Sequence, residues 1–479
     1  MAFKHGVFYN ELATSIVPTL TVATPTMVVG TAPINMLTNP AQVNTPILCS
    51  TYAEYVENFG WSGDDTLYTA QEAAKVHFQL YSVKPLIVVN VLDPANSDHV
   101  VSGKTKTLTG ASKPLRIEDS KIILSSLSVK SGETALTKKT DYTAAFEGSD
   151  LVITVKSVNK LTNDSVTLTY DILEPKNVTA EDIIGGVDAT TGKNKGLECI
   201  ADVYPKYGVL CGSLIAPKYS SNPEVAAVMK SKVTNICGCF NTIAICDIDT
   251  STVKKYSDVY DFKNSNSLVD KNLVACWPMV TLGGTIYHMS THVAALMCRV
   301  DSDEGGDVPY ISPSNHTLQA DGLCLADGSE VLLAKDAADY LNSVGIVTGL
   351  NLNGWRAWGN RTSIYPSTTD PAEVFIPVRR MISYLGNTII LTFFSFVDRP
   401  LNRRLIEAVE TSCQLFLNGL ASSQAILGGS IQFAEESNPL TELLDGHVKF
   451  DLKVSFLVPA ESITFSIEFD PSLYETLFS

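Results

Sequence analysis

The chain has 479 residues, with Lys+Arg 35 against Asp+Glu 51 and a net charge of −16. Hydrophobic residues make up 45% and charged residues 18%, a globular composition that excludes a disordered or collagen-like chain. The acidic balance leaves no basic footprint for nucleic acid and repels anionic membrane surfaces.

The length suggests about three domains. Residues Met1 to Asn10 lack the apolar core and small-residue cleavage site of a secretory signal. Leu12 to Ala53 carries no charge, but Pro18, Pro25, Pro33, Pro40 and Pro46 break every window long enough to span a bilayer. A soluble chain made in the cytoplasm is expected. Ten cysteines, several in apolar runs such as Gly208 to Cys211 and Ala295 to Cys298, fit free buried thiols in a reducing compartment.

In chain order, Tyr52 to Gly60 and Thr69 to Phe78 precede Leu86 to Leu92. The second of these has helical spacing, and the third is a β-branched apolar run typical of a buried strand. A helix feeding a buried strand predicts an α/β layer. From Val100 to Asp182 there is neither cysteine nor tryptophan, and 11 basic residues balance 11 acidic ones, so the whole −16 lies elsewhere. Short alternating pieces at Ile122 to Leu124, Asp150 to Val155 and Ser165 to Ile172, between Ser/Gly/Asn/Asp turns, predict an inserted antiparallel β sandwich. It leaves and rejoins the surrounding chain near Pro94 and Gly185.

The α/β pattern then resumes. Strands are expected at Val209 to Ala216, Thr242 to Asp247, Val274 to Trp277 and Gly345 to Thr348. Helices are expected at Asn222 to Asn235, about Ile286 to Arg299, and Glu330 to Ser343, the last with Val331, Leu332, Ala334, Ala338 and Leu341 on one side. In the C-terminal quarter, Val374 to Leu385 is helical and Thr388 to Val397 is apolar and of ambiguous type. Leu401 to Leu417 carries Leu401, Leu405, Ala408, Val409, Leu415 and Phe416 on one face, with Arg403, Arg404, Glu407 and Glu410 covering much of the other. Two period-2 runs, Val448 to Val458 and Ile463 to Phe469, predict strands on either side of Pro459.

No constellation points to catalysis or a metal. His288 and His292 stand four apart, but Met289 occupies the place where a zinc peptidase carries its glutamate. Gly185 to Lys193 misses the phosphate-loop spacing, and Asn194 follows the lysine where Ser or Thr is required. Cys237-Gly-Cys239 with Cys246 lacks paired CxxC units. Asp301 to Asp307 does not fit the twelve-residue calcium loop and reads as a solvated acidic turn. The expectation is a protein that is not an enzyme and needs no cofactor.

The segment Gly354-Trp-Arg-Ala-Trp-Gly-Asn-Arg-Thr362 resembles the signature of contractile-tail sheath proteins of bacteriophages and phage-tail-like bacteriocins. Trp355, Trp358, Gly359, Asn360, Arg361 and Thr362 carry it, and the expected role is structural, a packed turn entering a helix. The likeness extends to Val28 to Pro33, Tyr55 to Gly60, Leu214 to Pro217, Pro309 to Pro313, Ala294 to Asp301, Ile376 to Arg380, Glu436 to Asn438 and the two terminal strands. It covers most of the chain outside Val100 to Asp182.

The resemblance implies an α+β multidomain fold. An α/β middle domain (21–97 and 183–353) carries the inserted β module (98–182). An inner domain combines an N-terminal arm (1–20) with residues 354–479, and terminal strands are exchanged with neighbouring subunits. It implies stacked hexameric rings around a tail tube that contract from a metastable extended state, with tube, baseplate and tail-terminator proteins as partners. Neither nucleic acid nor direct membrane insertion enters. Assembly in the host cytoplasm is implied, followed by residence in a virion tail or released particle. The implied arms are Val7, Tyr9, Leu12 and Ile16 at one end and Ile463, Phe465, Ile467 and Phe469 at the other. Arg403, Arg404, Glu407 and Glu410 are the implied tube-facing residues. The alternative, a surface adhesin built on an Ig-like module, rests on the inserted segment alone.

Overall fold

The computed structural model describes residues 24–471 and 473–474; the proposed N-terminal arm residues Val7, Tyr9, Leu12 and Ile16 lie outside them. At its centre is an eight-stranded sheet. Its order is Ile47–Cys49, Leu86–Asn90, Thr26–Gly30, Ser213–Ile215, Ile243–Asp247, Leu273–Cys276, Ile346–Asn351, Trp355–Trp358. The six inner strands run parallel and the two edge strands antiparallel. Parallel strands covered on both faces read as unbroken apolar runs, which is why Leu86–Asn90 and Ile243–Asp247 are legible and buried at every position.

Thr26–Gly30, also buried throughout, was hidden by the Thr/Pro-rich lead-in around it. It continues into a tight junction with the helix Thr69–Lys75. Thr31 N–H donates to Thr69 Oγ1 and Thr69 N–H donates to Thr31 Oγ1, each at 3.1 Å. A Cβ on Gly30 would stand 2.2 Å from Thr69 Oγ1, so only glycine allows this approach.

The inserted segment is a two-sheet sandwich. Val100–Thr109, Ser165–Leu173, Ser128–Ser131 and Thr134–Leu136 form one sheet in that order, and Leu115–Ile117, Asp150–Val155 and Tyr142–Glu147 the other. Their inner faces meet in a separate core that includes Ile117, Val129, Tyr142, Leu151, Ile153 and Leu168. Ile122 to Leu124 makes only a single bridge, Ile122 to Ile172, because its three consecutive apolar residues have no alternation to commit to one face. Asn35 Nδ2 ties this module to the central sheet by donating to the carbonyls of Ser120 (2.7 Å) and Ile122 (3.0 Å).

A third core lies toward the C-terminus. The helices Ile376–Phe393 and Arg403–Ser422 pack with an antiparallel pair, Ile426–Gln432 and Asp451–Phe456, around Met381, Leu385, Cys413, Leu417 and Ile426. The ambiguous 388–397 segment thus continues a helix as far as Phe393. On Arg403–Ser422 the buried stripe is Val409, Ser412, Cys413, Leu417 and Leu420, while Leu415 is exposed. The stripe is set by what packs against it, the 376–393 helix and the strand pair; it shares Val409 with the predicted face, keeps Phe416 partly buried, and is otherwise turned toward Cys413, Leu417 and Leu420.

Two other expectations are corrected. The helix expected from Ile286 begins at Met289, because Thr285–Tyr287 pairs as a strand with Met279–Leu282. The helix expected from Glu330 begins at Lys335, which leaves Leu332 exposed.

Candidate functional site: the tryptophan hairpin and the root of the C-terminal arm

The tryptophan segment is a strand, not a turn entering a helix. Trp355–Trp358 pairs antiparallel with Ile346–Asn351, closing one edge of the central sheet. Its period-2 pattern turns Ala357 into the core and leaves both tryptophans partly covered, Trp355 against the central core. The Trp358 indole N–H donates to Asp339 Oδ1 at 3.0 Å, and Lys335 Nζ lies 5.5 Å from the Trp358 ring centroid. Gly359 follows at φ 137°, where an added Cβ would sit 2.8 Å from Asn342 Oδ1 and 2.9 Å from the Ile346 carbonyl. The motif's glycine is therefore fixed by both backbone conformation and space.

Asn360 and Thr362 are buried and bind the segment to the next helices. Ile376 N–H donates to the Asn360 carbonyl (2.9 Å), Thr362 N–H to the Val374 carbonyl (2.8 Å), and Thr362 Oγ1 to the Glu373 carbonyl (2.7 Å). Beneath them is a residue that sequence patterning gave no signal for, the fully buried Lys263. Its Nζ donates to the carbonyls of Val344 (2.5 Å), Ser363 (2.9 Å) and Tyr365 (2.7 Å), and burial pulls its pKa down to about 8. Three carbonyls on one ammonium lock the chain after the hairpin into place.

Arg361 lies between two other aromatic rings. Its guanidinium lies 4.0 Å from the Tyr365 ring centroid and 4.7 Å from that of Phe375. From that aromatic socket it grips Glu461 with two bonds, Nε to Oε1 at 2.8 Å and Nη2 to Oε2 at 2.5 Å. Glu461 stands at the root of the last segment. The first alternating run becomes the strand Asp451–Phe456, but residues 457–470 form neither strand nor helix. Ile463, Phe465, Ile467 and Phe469 are 73%, 85%, 95% and 72% exposed. The expected second strand is thus not formed within the chain, since among the described residues nothing pairs with it. The neighbouring strands 426–432 and 451–456 make a two-stranded sheet; Gln414 donates to the Gly429 carbonyl and accepts from Ile431 N–H on the first, so the outer edge left open is that of 451–456.

The four residues expected to face a tube divide. Arg403, Arg404 and Glu407 are exposed at the start of their helix, with Arg403 Nε donating to Glu407 Oε1 at 2.7 Å. Glu410 is turned inward and accepts from Phe433 N–H at 2.6 Å, holding the end of strand Ile426–Gln432.

Elsewhere, groups that resemble chemistry are consumed by structure. His288 precedes the helix Met289–Asp303; its N–H donates to Glu72 Oε1 (2.7 Å) and its Nδ1 lies 2.8 Å from Glu72 Oε2. Burial acts against charge on this ring, but Glu72 and Asp247 outweigh it and raise its pKa. Ser290 N–H and Oγ both donate to the buried Asp247, at 2.8 and 2.5 Å. Two carboxylates at a helix N-terminus complement its free N–H groups and dipole. Asp301, read as part of a solvated loop, is in fact the buried partner of Arg380. Burial raises the thiols of Cys49, Cys199 and Cys211 to about 12, so they stay protonated. Among the described residues no group of three metal-ligating side chains assembles, and no helix is long and apolar enough to cross a membrane.

His292 has different partners from His288. It is fully buried between Tyr287 and Tyr81, whose hydroxyl lies 3.3 Å from its Nδ1, and its Nε2 has no partner. His77, also fully buried, donates Nδ1–H to the Ala73 carbonyl. Burial lowers these two rings from 6.5 to about 3 and about 4, respectively. A depressed folded-state pKa contributes stability that is intact above 6.5 and is lost as pH falls toward the folded value. His288, shifted the other way, offsets part of this on acidification. Between pH 7 and pH 5 each neutral histidine is expected to cost about 2 kcal/mol of stability. Urea titrations across that range should show the decline, and His292→Phe should roughly halve it; an unchanged slope would contradict the assignment.

No family model matches the chain. In sequence it is 27% identical over 496 residues to the tail sheath protein of Burkholderia phage BcepMu, covering 99% of this chain and 98% of that protein. It is 25% identical over 293 residues to the tail sheath protein of Escherichia phage P2, covering 60% of this chain and 70% of that one. A solved structure of the anti-feeding prophage helical sheath in its contracted state superposes with a TM-score of 0.58 at 15% identity. That match covers 97% of this chain and 99% of the other, and at that identity it shows the fold alone. The resemblance first met in the tryptophan segment therefore runs the length of the chain, and its mixed α/β multidomain fold is the fold of contractile sheaths.

Proposed function

We propose that this relative of phage tail sheath proteins is the structural subunit of a contractile tail sheath, polymerising around a tail tube and shortening to drive that tube through a target envelope. One observation carries the proposal furthest. A segment of alternating Ile463, Phe465, Ile467 and Phe469 stands exposed, and the two-stranded sheet before it has an open edge along 451–456. An extended segment with one apolar face adds readily to such an edge, main-chain bonds giving affinity and alternate side chains giving register. Added to a neighbour's sheet rather than its own, it makes a heterologous contact, and repetition of that contact generates a helical polymer.

In this reading the central sheet and its tryptophan hairpin form the rigid body, and the C-terminal core is the linking layer. Arg403, Arg404 and Glu407 face the tube, with Glu410 bracing the adjacent strand. The inserted sandwich decorates the outside, and residues 1–20 supply the second arm. The particle is a virion tail or a released tail-like body, with tube and baseplate proteins as partners. Stored contraction energy then resides in interfaces with two discrete packings. The adhesin alternative uses only the inserted sandwich and leaves the exposed arm unexplained.

Negative-stain microscopy of the purified chain, alone and with its tail-tube protein, tests the proposal. Hollow striated tubes are expected. Monomers under both conditions, with folding intact, would overturn it.

A further inference from the structure

We infer that Arg361 is a positioning residue for the C-terminal arm, fixing through Glu461 which face of the arm is presented to the next subunit. The inference rests on the sheath proposal and goes beyond it by assigning the register of the link to one side-chain pair.

The geometry has three parts. The first is the socket. Arg361 is held by stacking on Tyr365 and Phe375 and by a backbone bridge to Phe375, and its neighbour Thr362 is bonded to Val374 and Glu373. Most arginine side chains lose several free torsions when they pair; this one is already ordered by its surroundings. Its side chain is 16% exposed against 41% for Glu461, so the fixed partner is the arginine.

The second part is the fork. A guanidinium bonded by Nε and Nη2 to both oxygens of a carboxylate defines the plane of that carboxylate as well as its position. An exposed ion pair between two loose side chains contributes little. Here one partner is preordered and the contact is bidentate, so it constrains direction. A lysine would supply the charge without the plane.

The third part is parity. In extended chain, successive side chains alternate faces. Glu461, Ile463, Phe465, Ile467 and Phe469 share one parity, while Ser462, Thr464, Ser466 and Glu468 share the other. Pinning Glu461 therefore pins the whole apolar face, and a slip of one residue would present the polar face instead.

The test compares variants in polymer formation with the tube protein, measured by sedimentation, with melting temperature as the folding control. Glu461→Gln keeps the shape and removes the charge. It should raise the protein concentration needed for polymer at least tenfold without moving the melting temperature, and Arg361→Lys should do the same. Inserting one serine after Glu461 should raise that concentration at least tenfold. Inserting two, which restores the face, should assemble at a concentration at least threefold lower than the one-serine variant requires. Glu461→Gln assembling like the unmodified chain, or one inserted serine tolerated as well as two, would overturn the inference while leaving the sheath proposal standing. An unmodified chain that forms no polymer with the tube would overturn both.

Discussion

Deleting residues 460–479 should leave a folded subunit that no longer polymerises. Among the described residues the three hydrophobic cores hold none beyond Phe456, so the deletion leaves those cores intact. What it removes is the exposed run Ile463, Phe465, Ile467 and Phe469. Burying each such side chain in a neighbour is worth about 1.5–3 kcal/mol, so losing all four removes a gross stabilisation of roughly 6–12 kcal/mol per link. Ordering the arm offsets part of that. The remainder still separates polymer from monomer by several orders of magnitude in concentration. The double substitution Phe465→Ser and Ile467→Ser should reproduce most of the effect without shortening the chain. Circular dichroism melts and sedimentation velocity measure the two sides; a deletion variant that still forms tubes would show that the arm is not the link.

Breaking the ion pair between Asp301 and Arg380 should destabilise the subunit by about 3–5 kcal/mol, a large share of the stability of an ordinary domain. The pair is buried on both sides, 4% and 5% exposed, with Arg380 Nη1 at 3.0 Å from Asp301 Oδ1 and Nη2 on the other oxygen. Burial pushes the Asp301 pKa up, and the Arg380 guanidinium opposes that shift. Arg380→Met leaves the carboxyl buried without its cation, so it must take up a proton or draw in water. Position makes the loss structural as well as electrostatic. Asp301 lies on the helix Met289–Asp303, which packs in the central core, and Arg380 lies on Ile376–Phe393, which builds the C-terminal core. The variant should therefore unfold in urea at a lower midpoint and with reduced cooperativity between the two cores. The double change Asp301→Leu with Arg380→Met, removing both charges, should be milder than Arg380→Met alone. Equal stability of the single variant and the unmodified chain would contradict this role.

What could be read from the sequence follows physical rules. Leu86 to Leu92 and Thr242 to Asp247 announced buried parallel strands because both faces are covered, and the inserted sandwich declared itself by alternation and turn residues. The tryptophan segment was legible as a signature but not as a strand. Two bulky aromatics followed by Gly-Asn suggest a turn, and the edge of the sheet that receives them is formed by residues 346–351. Thr26–Gly30 was masked by prolines on either side of it. The pairs that matter most were invisible. Arg361 and Glu461 are 100 positions apart, and Asp301 and Arg380 are 79 apart. An acidic Gly-rich stretch looks solvated until the fold supplies a buried arginine. Lys263 gave no signal either, because three backbone carbonyls have no sequence pattern. The run 463–469 has the period-2 pattern of a strand but forms none within the chain, where among the described residues nothing pairs with it.

The most direct measurement is a cryo-electron microscopy reconstruction of the polymer formed with the tube protein, followed residue by residue through 457–470. The account predicts that this segment crosses into the adjacent subunit and pairs with the open edge of its 451–456 strand, with Ile463, Phe465, Ile467 and Phe469 facing that subunit's core. A segment folded back onto its own subunit in every copy would contradict it.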